Sequence, residues 1–436
     1  MSHSTRRAAR RTVVVAGVLA TALTAASCAN STAPASTDAG SDDVTLRIAF
    51  SSLPEMVDAL ADAFHEEHPN ITISPEYTAF ADYVTSIRLS MSSDTAPDIA
   101  QFAVPSKDLV GAGEQLPLDD YAEEQGWYDT FPVSALEQLE LSDDGKEFGA
   151  GSLYGVPVAL SMVGVFYNKQ IAEDIGMTEM PTSIEEFESA LDKAKDAGET
   201  PIMMGALDYG ANHVWGALTN SFMPAADYRD WVNGAPGGDI TGDESLAAST
   251  TFAEWADKGY FNDGANGIGA ADASATFSAG DGLFFIGGNW VTGALDEAMG
   301  DNVGYFLFPQ SEEDKPAVTG GSSVAYTVSA RTEHPDEVAT FLNWLSTPEA
   351  GAIVVDNGYL PVASEALTDA TGVASEVSAA YDDITAAEGV NLFSDWSATD
   401  QLATLTPGVQ GMVAGETDPE TFLESIQEVR DAYHEE

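Results

Sequence analysis

A chain of 436 residues with 44% hydrophobic residues and a mean hydropathy of −0.08 can fill the cores of two or three domains, which excludes a disordered protein. Its 71 acids against 16 lysines and arginines leave a formal charge of −55, a field that excludes nucleic acid and anionic membrane surfaces as partners. Only 7 residues are lysine, a scarcity that fits adaptation to high salt, with solubility as the plainer reading.

The start of the chain departs from this pattern. Arg6, Arg7, Arg10 and Arg11 precede an apolar run from Val13 to Ala26 that ends on Ala25-Ala26-Ser27-Cys28, so residues 1–28 read as an export signal and not as a membrane span. Cys28 is the only cysteine and stands where the bacterial lipobox places its acylated residue, although Ala25 and not leucine lies three positions before it. An ordinary signal-peptidase site is the alternative, and the paired arginines leave a twin-arginine route open. Acylation at Cys28 predicts an exported lipoprotein on the outer face of the cytoplasmic membrane, touching the membrane only through its anchor, with no disulfides. Residues 29–43 are small, polar and aperiodic, a flexible tether.

Val44 to Phe50 alternates and is rich in β-formers, which predicts the first strand. Val57, Leu60, Ala61 and Phe64 follow at helical spacing and Pro69 ends that helix. Ile71 to Tyr77 predicts a second strand, with Pro75 marking an edge or a bulge. A helix from Phe80 to Ser92 leads into a third strand over Ala96 to Phe102. Strand, helix, strand, helix, strand is the signature of an α/β domain with a largely parallel sheet.

The stretch Leu153 to Lys169 opens on turn residues, Gly155 and Pro157, and runs uncharged to Phe166, which predicts a buried strand pair or a strand crossing between lobes. Ser183 with Glu186 fits a capping box for a helix that ends at Gly198. Pro201 to Leu207 reads as a short strand, and the following region to Asn266 as helices in long loops. Leu283 to Ile286 and Val303 to Pro309 read as strands. Gly320-Gly321-Ser322-Ser323 precedes a further strand, from Val324 to Ser329. Helices follow over Pro335 to Leu345, from Pro348, and from Asp418-Pro419, a cap with proline at the first helical position.

Catalytic constellations are scarce. The six histidines, His3, His65, His68, His213, His334 and His434, show no metal-ligand spacing, and no nucleophile elbow or phosphate loop occurs, so neither a metal nor a cofactor is expected. Carboxylates are too numerous for any pair to single out a glycosidase. What the chain offers is aromatics beside glycine and small polar residues. Flat rings suit the apolar C–H faces of a sugar, and Trp290 after Gly287-Gly288-Asn289 fits that need, with a core position as the alternative.

Taken together, the exported N-terminus, APDIAQF, LYGVPVALSMVGVFYNK, PTSIEEFESALDKAK, AGDGLFFIGGNW and GGSSVAYTVSARTEHPDEVATFLNWLSTPEAG resemble, in order, the extracellular sugar-binding proteins of ABC importers. The resemblance implies an α/β, two-lobed periplasmic-binding-protein fold with mixed sheets and three inter-lobe crossings, near Pro157, Gly320 and Pro361. It implies one lobe from 44–158 and 320–361, and another from 159–319 and 362–436, closing on a carbohydrate ligand. The implied partner is an ABC permease, the implied state a monomer, and no catalysis is expected. The family's ligand positions fall on Trp290 and Phe102 as stacking rings, and on Ser161, where the maltose-binding member of the family has a carboxylate, a departure that speaks against maltose. They also fall on Asn212 and Trp215, on Gly321 and Ser322, and on Asp395 and Trp396. Asp98 and Asn168 are expected to be structural. An exported glycoside hydrolase, or a same-fold receptor for a polyamine, are the competing readings.

Overall fold

The computed structural model describes residues 43–310, 317–362, 370–387 and 389–435. The export signal, Cys28 and residues 29–42 of the expected tether lie outside the described residues.

Strands β1 (Val44–Phe50), β2 (Ile71–Tyr77) and β3 (Ile99–Phe102) are joined by helices Pro54–Glu67 and Phe80–Met91 and pair in parallel, as the alternation of elements predicts. β2 is the edge strand, where Pro75 removes a donor no neighbour needs. Helix Pro54–Glu67 buries Met56, Val57, Leu60, Ala61 and Phe64 against this sheet. Leu53 before it takes a left-handed φ of 58°, a strained turn at the β1 end. Asp98 holds the sheet, its carboxylate accepting from the Arg47 backbone N–H at 2.9 Å and the Thr332 hydroxyl at 2.6 Å.

A short hairpin of β4 (Glu140–Leu141) and β5 (Ser152–Leu153) precedes β6 (Gly155–Asn168), 14 residues long and buried almost throughout. The first half of β6 pairs with β9 (Val318–Val328) and with β10 (Leu360–Pro361). Its second half pairs with β7 (Phe284–Gly288) and β8 (Val303–Phe306). β9 also serves two neighbourhoods, pairing with β3 at one end and in parallel with β11 (Val390–Asn391) at the other. Two long strands, β6 and β9, therefore run between the sheet of β1–β3 and the strands beyond it, with β10 beside β6 on the near side, in a mixed, two-lobed architecture.

Three local expectations are corrected. Gly320 to Ser323 lie inside β9, because pairing with Leu160 to Met162 of β6 extends the strand through both glycines. Pro201 to Leu207 forms no strand; Ile202 makes isolated bridges to Phe261 and Phe284 only. In the capping box, the Ser183 hydroxyl accepts from the Glu186 N–H as predicted, but the Glu186 carboxylate reaches back to Thr182, accepting from its N–H at 2.9 Å and its hydroxyl at 3.0 Å.

Beyond the crossing, helix Gly210–Phe222 is buried from Gly210 to Ser221 and sits among helices Asp243–Asp257, Gln401–Val413 and Pro419–Glu435. Their apolar faces build a core around Trp215, Trp231, Trp255 and Phe252. Asn168 closes β6 by capping the next helix, its side chain accepting from the Gln170 and Ile171 N–H groups.

Candidate functional site

β7 ends on Gly287-Gly288 and turns at once through a 3₁₀ turn, Asn289–Val291. Glycine at 288 is a matter of space: a Cβ there would lie 1.9 Å from the Trp290 ring, which folds back over the backbone. Asn289 ties this turn to the crossing strand, accepting from the Met162 N–H at 2.9 Å and donating to the Leu160 carbonyl at 3.3 Å. The ring of Trp290 is thereby fixed at the point where β6 passes between lobes, and stays partly exposed.

Asp208 sets the opposite wall. Its carboxylate accepts from the N–H groups of Gly210 at 3.3 Å and Ala270 at 2.9 Å, joining the N-termini of helices Gly210–Phe222 and Ala270–Ser278. Between these helix ends and Trp290 lies a cavity of about 360 Å³, lined by Tyr209, His213, Trp290, Phe285 and the small residues Gly205, Ala271, Ser274 and Ala275 among others, with no charged side chain.

From this cavity a row of rings runs outward. Tyr209 lies 5.2 Å from His213, His213 5.5 Å from Trp290 and 5.8 Å from Phe393, and Phe393 5.0 Å from Trp396, centroid to centroid. Tyr209 is 41% exposed, so its ring is open to solvent beside the cavity. Burial pushes the His213 imidazole down to about 4, so the ring is neutral at ordinary pH and adds a flat face without charge. Desolvation pushes the Asp395 carboxyl beside Trp396 up to about 6.

The site residues expected from the sequence fall into five places. Trp290, Trp396 and Asp395 lie on or beside the ring row. Asn212 lies next to His213 in the chain; its Nδ2 donates to the Thr406 hydroxyl at 2.9 Å while its buried Oδ1 has no protein partner. Ser161, Gly321 and Ser322 meet at the centre of the crossing, where Ser161 pairs with Gly321 and donates to its carbonyl at 3.3 Å, and the buried Ser322 hydroxyl is unpartnered. Phe102 ends β3 and packs with Tyr83, Ile87, Met91 and Leu109, a cluster separate from the row. Trp215 is a correction: it is fully buried, donates from Nε1 to the Ser249 hydroxyl at 2.9 Å and meets Phe422 edge-on at 5.2 Å, so it is core.

Tyr209, His213 and Phe393 were not singled out from the sequence. Tyr209 precedes a glycine that opens a helix, the same aromatic-beside-glycine signal that marks Trp290. His213 and Phe393 carry no local signal, since only the fold brings residues 213, 290 and 393 together. Among the described residues, no group of three or more His, Cys, Asp or Glu is arranged to hold a metal ion, and no helix is long and apolar enough to cross a membrane.

The model of the family described as bacterial extracellular solute-binding protein matches residues 46–352. The chain is 22% identical over 307 residues to the multiple sugar-binding protein of Streptococcus mutans, covering 69% of this chain and 70% of that one. It is 27% identical over 301 residues to the alpha-glucosides-binding periplasmic protein AglE of Rhizobium meliloti, 63% and 62% of the two chains. Among solved structures, a chitin oligosaccharide binding protein superposes with a TM-score of 0.76 at 22% identity, over 91% of this chain and all of the other. RafE in complex with raffinose superposes at 0.70 and 18%, over 89% and 99%. With more than half its length matched by the family model, the chain belongs to the bacterial extracellular solute-binding proteins.

Proposed function

We propose that the protein is the substrate-binding component of an ABC importer, holding a neutral sugar or oligosaccharide between its lobes and delivering it to a membrane permease. The observation that carries this is the row Tyr209, His213, Trp290, Phe393 and Trp396 beside a cavity without charged lining. Ring faces stack on the C–H faces of sugars, and a few polar groups fix the hydroxyls. Relatives and neighbours named for multiple sugars, alpha-glucosides, chitin oligosaccharide and raffinose support the same class.

In this reading the lobes are 44–158 with 320–361, and 159–319 with 362–436. They hinge at β6, β9 and β10 and close over the ligand, with Phe102, Ser161, Gly321, Ser322, Asn212 and Asp395 at the margins of the contact. Closure makes and breaks no covalent bond. Export through residues 1–28 and acylation of Cys28 would tether a monomer to the outer face of the membrane, within reach of the permease.

A polyamine would call for carboxylates around the cavity, and its lining has none. A hydrolase would need two carboxyl groups roughly 5 to 10 Å apart across the ligand. Thermal-shift screening of the mature chain against mono- and oligosaccharides tests the reading, because a ligand that binds only the folded state raises Tm. The expected result is a shift with an oligosaccharide that Trp290→Ala abolishes. A shift with spermidine and with no carbohydrate, or release of shorter sugars by the purified protein, overturns it.

A further inference from the structure

We infer that Lys107 is a positioning residue for the ring row: reaching across from the segment after β3, its ammonium holds the Ser397 carbonyl and so fixes the turn that carries Asp395 and Trp396. The inference rests on the row being the ligand site. Lys107 opens the short helix Lys107–Gly111 and is only 6% exposed. In a chain this rich in acids its Nζ donates instead to two backbone carbonyls, Lys146 O at 3.2 Å and Ser397 O at 3.3 Å, and stands over the rings of Phe148 at 4.8 Å and Tyr433 at 5.1 Å. The His434 Nε2 lies 3.2 Å from the same Ser397 oxygen and donates to it in the tautomer that carries its proton there.

The surroundings are built to receive this side chain. Gly145 comes so close that a Cβ would lie 2.2 Å from the Lys107 carbonyl oxygen, and its φ of +73° also favours glycine. Tyr433 donates from its hydroxyl to the Gly145 carbonyl at 3.2 Å and accepts Lys146 Nζ on its own carbonyl at 3.1 Å. The Phe148 N–H donates to Asn233 O at 2.9 Å. The loop between β4 and β5, the start of helix Lys107–Gly111 and the end of helix Pro419–Glu435 thus interlock around one carbonyl. That carbonyl belongs to the residue after Trp396. Burial, and then the Arg430 guanidinium, pull the Lys107 ammonium down to about 7 against the opposing Asp144. A buried lysine with no carboxylate in ion-pair contact among the described residues is costly, and a lysine serving solubility alone would be at the surface.

Lys107→Met keeps the stem and removes the donors. It is expected to weaken binding of the oligosaccharide found in the screen by roughly tenfold, the loss of a buried donor. It should add nothing to Trp396→Ala, since both act through one turn. Additive losses, or unchanged affinity in Lys107→Met, overturn the inference. Near-UV circular dichroism of the unliganded protein gives a second readout: Lys107→Met should alter the tryptophan signal in the wild-type background and not in Trp396→Ala. That readout needs no ligand, so its failure sinks the positioning role alone, whereas a screen without carbohydrate hits sinks the functional reading. Should Lys107→Met not fold, His434→Phe removes the second donor to Ser397 at a partly exposed site. The same non-additivity with Trp396→Ala is expected, and additivity there overturns the inference.

Discussion

Trp290 and Trp215 are the same side chain in opposite situations, and they separate binding from folding. Trp290 is partly exposed over an uncharged cavity, so Trp290→Ala should weaken ligand binding by about 2 kcal/mol or more, the loss typical of an aromatic anchor, with Tm nearly unchanged. Trp215 is fully enclosed and bonded to Ser249, so Trp215→Ala should cost about 3 to 5 kcal/mol of stability through the cavity it leaves. Calorimetry of both variants, for affinity and for unfolding, checks the pair; equal Tm losses would remove the distinction. His213 adds a pH signature. Its imidazole titrates at about 4 in the folded chain against 6.5 unfolded, so as pH falls from about 6.5 to about 4 the unfolded state takes the proton first and stability is lost. His213→Phe keeps a ring and cannot be protonated. Its Tm relative to the parent should therefore rise between about pH 7 and about pH 4.5, and a constant difference would show that His213 does not carry this loss.

At the scale of elements, the crossing is where sequence and structure agree most and also where they part. The uncharged run from Val156 to Phe166 marked β6 because a strand buried on both faces has no polar side to reveal its period. The sequence pattern places the start of β9 at Val324, four residues after Gly320, because glycine and serine carry no strand signal of their own when their strand partner is unknown. Pairing with β6 is a tertiary fact, and it overrides the local signal. The helix Gly210–Phe222 shows the same limit: Asn212 and Trp215 share a helix buried on every side, so no amphipathic face tells which residues turn towards a ligand. Glycines 288 and 321 sharpen the contrast between strand and site. Gly321 has φ +124° and a Cβ there would lie 1.9 Å from the Gln138 Oε1, so Gly321→Ala should destabilise the crossing by about 2 kcal/mol or more. At Gly288 the φ is ordinary and the obstacle is the Trp290 ring, so Gly288→Ala should displace the ring, lowering affinity with little change in Tm. Thermal unfolding and titration of the two variants test this, and a Gly288→Ala variant with parental affinity would place Trp290 outside the contact.

For the whole molecule the governing fact is charge. With 71 acids and 16 lysines and arginines, most carboxylates have no cation of their own, and the field they make acts on any movement that brings acidic surfaces together. The closure proposed for the two lobes about β6, β9 and β10 would be such a movement where their facing rims are acidic. A neutral sugar has no charge to be screened, so salt can reach its affinity only through the protein. The Debye length falls from about 10 Å at 0.1 M to about 3 Å at 1 M ionic strength, shorter than the span of a cleft. Repulsion opposing closure should then largely vanish, and the dissociation constant for a neutral oligosaccharide should tighten as NaCl is raised. A polyamine would respond in the opposite sense, because screening weakens its attraction to carboxylates. Isothermal titration across that salt range distinguishes the two. An affinity independent of salt would mean that the closing surfaces carry little of the charge, and loosening with salt would favour a cationic ligand over a sugar.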